Sequence, residues 1–149
     1  PFSDLPRSGN TYYVTTSGGT GTGTQGDPWS LQHALSTAVA GDLVWVQAGS
    51  YAGNFSQSNN GTSSNGIIFR GYKTTTGDIA STIGSTFVRT NTSTDPTATD
   101  FPVIQGADGP SASDWGINQL GDYVQFENFV FADYGIGILQ HGDIVIGKM

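Results

Sequence analysis

Apolar residues in this chain come in short bursts cut by Gly, Ser, Thr, Asn and Asp, and only one stretch repeats them at helical spacing. Thr11 to Thr16 (TYYVTT) reads as a strand from its β-branched and aromatic content, and Ser17 to Gly26 as a Gly/Thr loop. Leu31, Ala34, Leu35, Ala38 and Val39 follow the i, i+3, i+4 pattern of one buried helix face. Asp27 suits the N-cap of that helix, Pro28 its first position and Gly41 a left-handed C-cap. Leu43 to Gln47 (LVWVQ) is nearly continuous apolar sequence, as expected of a strand covered on both faces, with the helix lying on the outer one. A turn at 48–50, a short strand at Tyr51 to Phe55, a polar loop at Ser56 to Gly66 and a strand at Ile67 to Tyr72 (IIFRGY) follow. Residues 73–100 are Thr-rich and read as a surface insertion, broken at most by a strand at Thr86 to Arg89. Beyond Phe101 the apolar groups are Val103-Ile104, Ile117, Tyr123 to Phe131, Ile136 to Leu139 and Ile144 to Ile146, with Asn128 placed in a turn.

Some of these bursts repeat. Gly121-Asp122-Tyr123-Val124 returns as Gly142-Asp143-Ile144-Val145, 21 residues on, and Val103 lies 21 residues before Val124. Val44 and Ile67 are 23 apart, and the interval from Ile67 to Val103 holds the insertion. Three short strands and three turns in slightly over 20 residues fit one coil of a parallel β-helix, whose coils stack at ~4.8 Å. Residues 1–10, with Pro1, Pro6 and Gly9, read as an extended arm, and 11–149 as an N-terminal cap with the first coils.

Residues 12–55 carry Tyr-Tyr-Val, a Gly/Ser loop, Pro28-Trp29, and then Ala38, Gly41, Asp42, Val44, Val46, Gly49 and Tyr51 in the order A-x-x-G-D-x-V-x-V-x-x-G-x-Y. This resembles the opening of the pectate-lyase-like right-handed β-helix superfamily, and Ile67 to Asp78 resembles a second-coil segment of that group. The resemblance implies an all-β, right-handed parallel β-helix with an N-terminal amphipathic capping helix, in which Leu31, Leu35, Val39, Trp29 and Trp45 are cap and core. It implies little about activity, since the group holds polysaccharide lyases, glycosidases, epimerases, phage tailspikes and proteins of unknown role.

Composition narrows the partners. Acidic residues outnumber basic ones 12 to 5, the net charge is −7 and no basic cluster occurs. Nucleic-acid binding and anionic membrane surfaces both call for a positive face, so neither is expected. The absence of Cys excludes disulfides, thiolate metal sites and thiol catalysis. No apolar run approaches the ~20 residues of a membrane span. Asn-x-Ser/Thr sites at Asn54, Asn60 and Asn91 matter only in a glycosylating host.

The candidate chemistry is sparse. Gly21-x-Gly23-x-x-Gly26 has the spacing of a dinucleotide fingerprint, but the loop is long and Gln47 stands where an acidic residue is needed. Gly18 to Thr22 starts like a calcium repeat and then has Gly23 at the Asp position, so a flexible loop is expected. In a 21-residue register Asp122 and Asp143 would stack as Ca²⁺ ligands, the one candidate cofactor; the alternative is that each caps its own turn. Arg70, Lys73, Arg89, His33 and His141, with Arg7 and Lys148 near the ends, are the whole supply of bases for a lyase, His33 being placed in solvent on the helix. Glu127, Asp133 and Asp114 are the conceivable carboxyls of a glycosidase. Trp115, Tyr123 and Tyr134 are candidate sugar-stacking aromatics, or else core. The strands run up to Lys148-Met149 without a visible cap, which leads to the expectation of a fragment or a subunit of a homo-oligomer or larger particle. The expected role is a structural or adhesive module on a virion or cell surface, extracellular and contacting glycans. The alternative is the N-terminal portion of a polysaccharide lyase or glycosidase.

Overall fold

The computed structural model describes residues 5–79, 97–106, 115–132 and 136–140. The strands expected at Thr86 to Arg89 and Ile144 to Ile146 lie outside these. Eleven strands and one helix are described: β1 Thr11–Thr24, β2 Asp27–Trp29, α1 Leu31–Thr37, β3 Leu43–Gln47, β4 Gly49–Ala52, β5 Phe55–Gln57, β6 Ile67–Tyr72, β7 Pro102–Gln105, β8 Trp115–Gln119, β9 Val124–Glu127, β10 Val130–Ala132 and β11 Ile136–Gln140.

These strands correct the expectation of a right-handed parallel β-helix. They form three small sheets: a mixed one in the order β2-β1-β3-β6-β9, in which β1 and β2 are antiparallel, and two parallel ones, β10-β7-β4 and β11-β8-β5. No closed or solenoid β-helix is shown among the described residues, which form a mostly-β fold with 52% of them in strands. The 21-residue spacing sets the pairing of β8 with β11, where Ile136 meets Trp115 and Ile138 meets Ile117, but it does not set that of the other strands. Val103 pairs with Ser50 and Val130 in the second sheet, whereas Ile67 pairs with Val124 in the first, 57 residues on. Register follows the side of each strand that must be buried, and the interval between partners varies with the chain between them, 21 residues for β8 and β11 and 57 for β6 and β9.

Alternation decides that side. Val14, Val44, Val46, Ile67, Phe69, Val124 and Phe126 point inward from the first sheet and join Tyr51, Ile104 and Ile117 from the other two. Gln57 and Gln119 are fully buried among them at paired positions, with Gln140 next in the same register. Each buried amide donates Nε2–H to the carbonyl two residues on, Asn59 at 2.6 Å and Gly121 at 2.8 Å, so the same side chain closes the same turn twice. Their Oε1 atoms meet no hydrogen-bond donor among the described residues.

Two local expectations change for one reason, the indole of Trp29. The Gly/Thr run continues β1 to Thr24 and folds back antiparallel on β2, where Trp29 donates Nε1–H to Gly21 O at 2.8 Å and stacks on Tyr12 at 4.1 Å. Gly23 has φ +74°, and a Cβ there would lie 2.6 Å from the Trp29 ring and 2.7 Å from Tyr12, so this position admits no side chain. Of the glycines that mimic a dinucleotide fingerprint, Gly21 and Gly23 are packing glycines in a ribbon, and Gly26 lies in the turn between its two strands. Because Asp27 and Pro28 belong to that ribbon, Ser30 caps the helix instead, its Oγ accepting His33 N–H at 3.3 Å. Leu31, Ala34 and Leu35 are buried, but the helix ends at Thr37, Gly41 lies beyond its cap at Ala38, and Val39 is 56% exposed. Among the described residues no helix is long and apolar enough to cross a membrane.

Candidate functional site: the outer face of the first sheet

The opposite parity of the same strands builds an outer face. Pairing places Thr11, Leu43, Ile68 and Gln125 in one row, Tyr13, Trp45, Arg70 and Glu127 in the next, and Gln47 beside Tyr72 in a third. The first row is closed. Residues 5–10 run along it, with Gly66 N donating to Pro6 O at 2.8 Å, Gly9 N to Gly41 O at 2.9 Å and Leu43 N to Asn10 O at 2.9 Å. Leu43 and Ile68 are buried although they lie outside the inward cluster. The arm, rather than the helix, covers this side of β3, and α1 packs instead on β1 and β5.

The second row is half-buried and chemically mixed. Arg70 donates Nε–H to Glu127 Oε2 at 2.6 Å, and its Cζ lies 5.6 Å from the centre of the Trp45 ring. Glu127 also accepts Gln125 Nε2–H through Oε1. Trp45 meets Tyr72 edge to face at 6.1 Å. At a strand spacing of ~4.8 Å the four residues of this row span roughly 14 Å across the sheet. Trp45, expected in the core, is thus a surface aromatic under a guanidinium, a pairing favoured by the ring quadrupole. Burial, then the neighbouring Tyr13 and Asp78, raise the Tyr72 phenol above its ordinary range, so it stays a neutral donor at physiological pH.

A tight loop closes one end of this face. Asp78 accepts Lys73 N–H at 2.7 Å, Thr74 N–H at 2.7 Å and Thr75 N–H at 2.8 Å, plus the Thr74 hydroxyl. Desolvation pushes the Asp78 carboxyl up, but the donations from Thr75, Thr74 and Lys73 outweigh it and hold the group well below the usual carboxylate range. Lys73 Nζ lies 2.5 Å from Asp100 Oδ1, which raises the Lys73 pKa and ties the loop to the far side of the 73–100 segment. A depressed carboxyl contributes order that is complete above its unfolded value, 3.8, and fades as pH falls through the folded one. We therefore expect a carbon-detected NMR titration of Asp78 to show a midpoint clearly below 3.8. A midpoint at or above it would mean that the three amides do not converge on the carboxylate.

The residues singled out from sequence fall elsewhere. Trp115 is half-buried on β8 in the third sheet, on the same strand parity as Ile117. Tyr123 turns the corner before β9 with φ 52° and accepts Ile67 N–H at 3.0 Å through its carbonyl. The structure does not bring these two together, and Tyr134 lies outside the described residues. Asp122 is held by its backbone, donating to Asn60 Oδ1 at 2.9 Å and accepting Gly61 N–H at 2.8 Å. Asp143 lies outside the described residues, and among those described no three His, Asp or Glu side chains gather to hold a metal ion. Arg89, His141, Lys148, Asp114 and Asp133 also lie outside. Arg7 is exposed on the arm. His33 is half-buried edge-on against Trp29 at 5.2 Å, not in open solvent.

A hollow of about 200 Å³ beside the helix start, lined by Thr15, Thr16, Gln32, Ser50 and Phe55 among others, is a weaker candidate. Gln32 is already committed to Ser56 through both ends of its amide, and Tyr51, also lining it, donates its hydroxyl to Gln47 O at 2.7 Å. Comparison with protein-family models, curated proteins and solved structures gives no match, so nothing outside the chain identifies a pectate-lyase-like superfamily.

Proposed function

We propose that this protein is an adhesive module that binds glycans on the outer face of its first sheet, displayed on a virion or cell surface within a larger assembly. The observation that carries this reading is the Tyr13–Trp45–Arg70–Glu127 row. Flat aromatic faces accept the C–H faces of sugar rings, and the neighbouring guanidinium and carboxylate supply donors and acceptors for hydroxyls. Arg70 and Glu127 are paired, so the row carries almost no net charge while the chain carries −7. That balance favours a neutral sugar over a polyanionic one. The low charge and Gly/Thr-rich composition agree with a surface that contacts partners by shape.

The test is an array of neutral and acidic oligosaccharides followed by calorimetry on the best binder. Trp45→Ala is expected to weaken binding about tenfold or more, roughly 1.4 kcal/mol, by removing the stacking platform. Chromatography of the glycan after long incubation should show its length unchanged. A shortened glycan would replace this reading with a lyase or glycosidase, and no binding by the intact protein would end it.

A further inference from the structure

We infer that the N-terminal arm is a working part of this face and that Gln125 is the positioning residue through which it acts. Gln125 stands at an outward position of β9, yet it is 1% exposed, and both ends of its amide are committed. Oε1 accepts Leu5 N–H at 3.0 Å, and Nε2 donates to Glu127 Oε1. Glu127 passes the constraint on through its other oxygen to Arg70 Nε, and Arg70 lies over Trp45. A primary amide has one accepting and one donating end. With Leu5 N–H at one end, the NH₂ group must face Glu127; turned over, it would set Oε1 against a carboxylate oxygen. Leu5 thereby selects the orientation of Gln125. With both oxygens engaged, Glu127 cannot swing, and the guanidinium is held in one place above the indole.

The arm reaches this position by its own bonds to Gly66 and Gly41, away from Gln125. Releasing Leu5 from Gln125, by trimming the first residues of the arm or by a competing partner, would free the amide and loosen Arg70 while the bonds of Pro6, Gly9 and Asn10 to the sheet stay in place. The arm then works as a strap that sets the affinity of the face. That consequence rests on the glycan-binding reading; the positioning itself does not.

The experiment follows the Arg70 Nε–Hε resonance in ¹H–¹⁵N spectra of the whole chain, assigned with Arg70→Lys. Leu5→Pro removes the donor while keeping an extended backbone that the following Pro6 already favours. Leu5→Ala keeps the donor and removes the side chain. Solvent exchange of Arg70 Hε is expected to quicken about tenfold in Leu5→Pro and in Gln125→Leu, and to change less than about twofold in Leu5→Ala. Equal behaviour of the two Leu5 variants, or an unchanged signal in Gln125→Leu, would overturn the inference; if Gln125→Leu fails to fold, the Leu5 pair decides it. Because no sugar is present, the two ideas fail separately. An arm-dependent Arg70 in a protein that binds no glycan retires the functional reading alone, and glycan binding with an arm-independent Arg70 retires the strap alone.

Discussion

Phe69→Ala is expected to lower the free energy of unfolding by about 3–5 kcal/mol, a large part of the ~5–15 kcal/mol available to a domain of this size. Phe69 is fully buried on β6, between Val44 on one neighbouring strand and Phe126 on the other. Its ring stacks on Phe126 at 5.1 Å with 13° between planes, and Phe126 in turn meets Phe129 edge to face at 5.9 Å. Truncation removes the transfer free energy of the ring and leaves a cavity walled by strands on both sides, which cannot collapse into it without breaking the ladder. Urea denaturation measures the loss, with Phe69→Leu as the control that keeps most of the volume. A cost below ~1 kcal/mol for the alanine variant would mean that the site is not a closed core.

Asp42→Ala ranks second, at about 2–4 kcal/mol. The Asp42 side chain is 2% exposed and accepts Asn10 N–H and Val39 N–H, each at 2.9 Å. It joins the end of the arm to the exit of the helix, just where the chain enters β3. Without the carboxylate both amides lose their acceptor, and a hydrogen bond to a charged group is worth roughly 1.5–3 kcal/mol. Asp42→Asn should recover part of the loss, since one oxygen remains. Denaturation with amide exchange at Asn10 and Val39 tests this. Unchanged protection of both amides in Asp42→Ala would show that their acceptors are elsewhere. The Gly41-Asp42 pair stood out in the sequence as part of a motif, but its role as a buried brace became visible only with its two partners.

How far the fold was legible varied with the kind of signal. The strands at 43–47 and 67–72 were readable residue by residue, because an apolar run between Gly or Asp boundaries can hardly be anything else. Residues 17–24 read as a loop in sequence yet form strand, because their Gly/Thr content speaks for flexibility and the reason for their order, the Trp29 indole, lies outside that stretch. Repeating Gly-Asp-apolar-Val starts suggested uniform coils. The 21-residue interval does pair β8 with β11, but Val103 lies in a different sheet from Val124, and the copy at 142–145 lies outside the described residues.

The candidate site was the least legible part. In sequence Trp45 reads as core, and Arg70 and Glu127 as isolated catalytic possibilities. Alternation along β3 and β6 could have shown that Trp45 and Arg70 share the side opposite Val44 and Phe69. Nothing local could have joined Arg70 to Glu127, 57 residues away.

The sequence by itself determined the dominance of short strands, the single amphipathic helix, the acidic balance and the absence of thiol chemistry. These follow from composition and from periods of two and 3.6, which are properties of a few neighbouring residues. Only the tertiary structure decided which strands are neighbours, that the arm covers one outer row, and that an aromatic, a cation and a carboxylate meet on the next. Those outcomes depend on burying one face of every strand at once, a condition set by the whole chain and readable in no single segment of it.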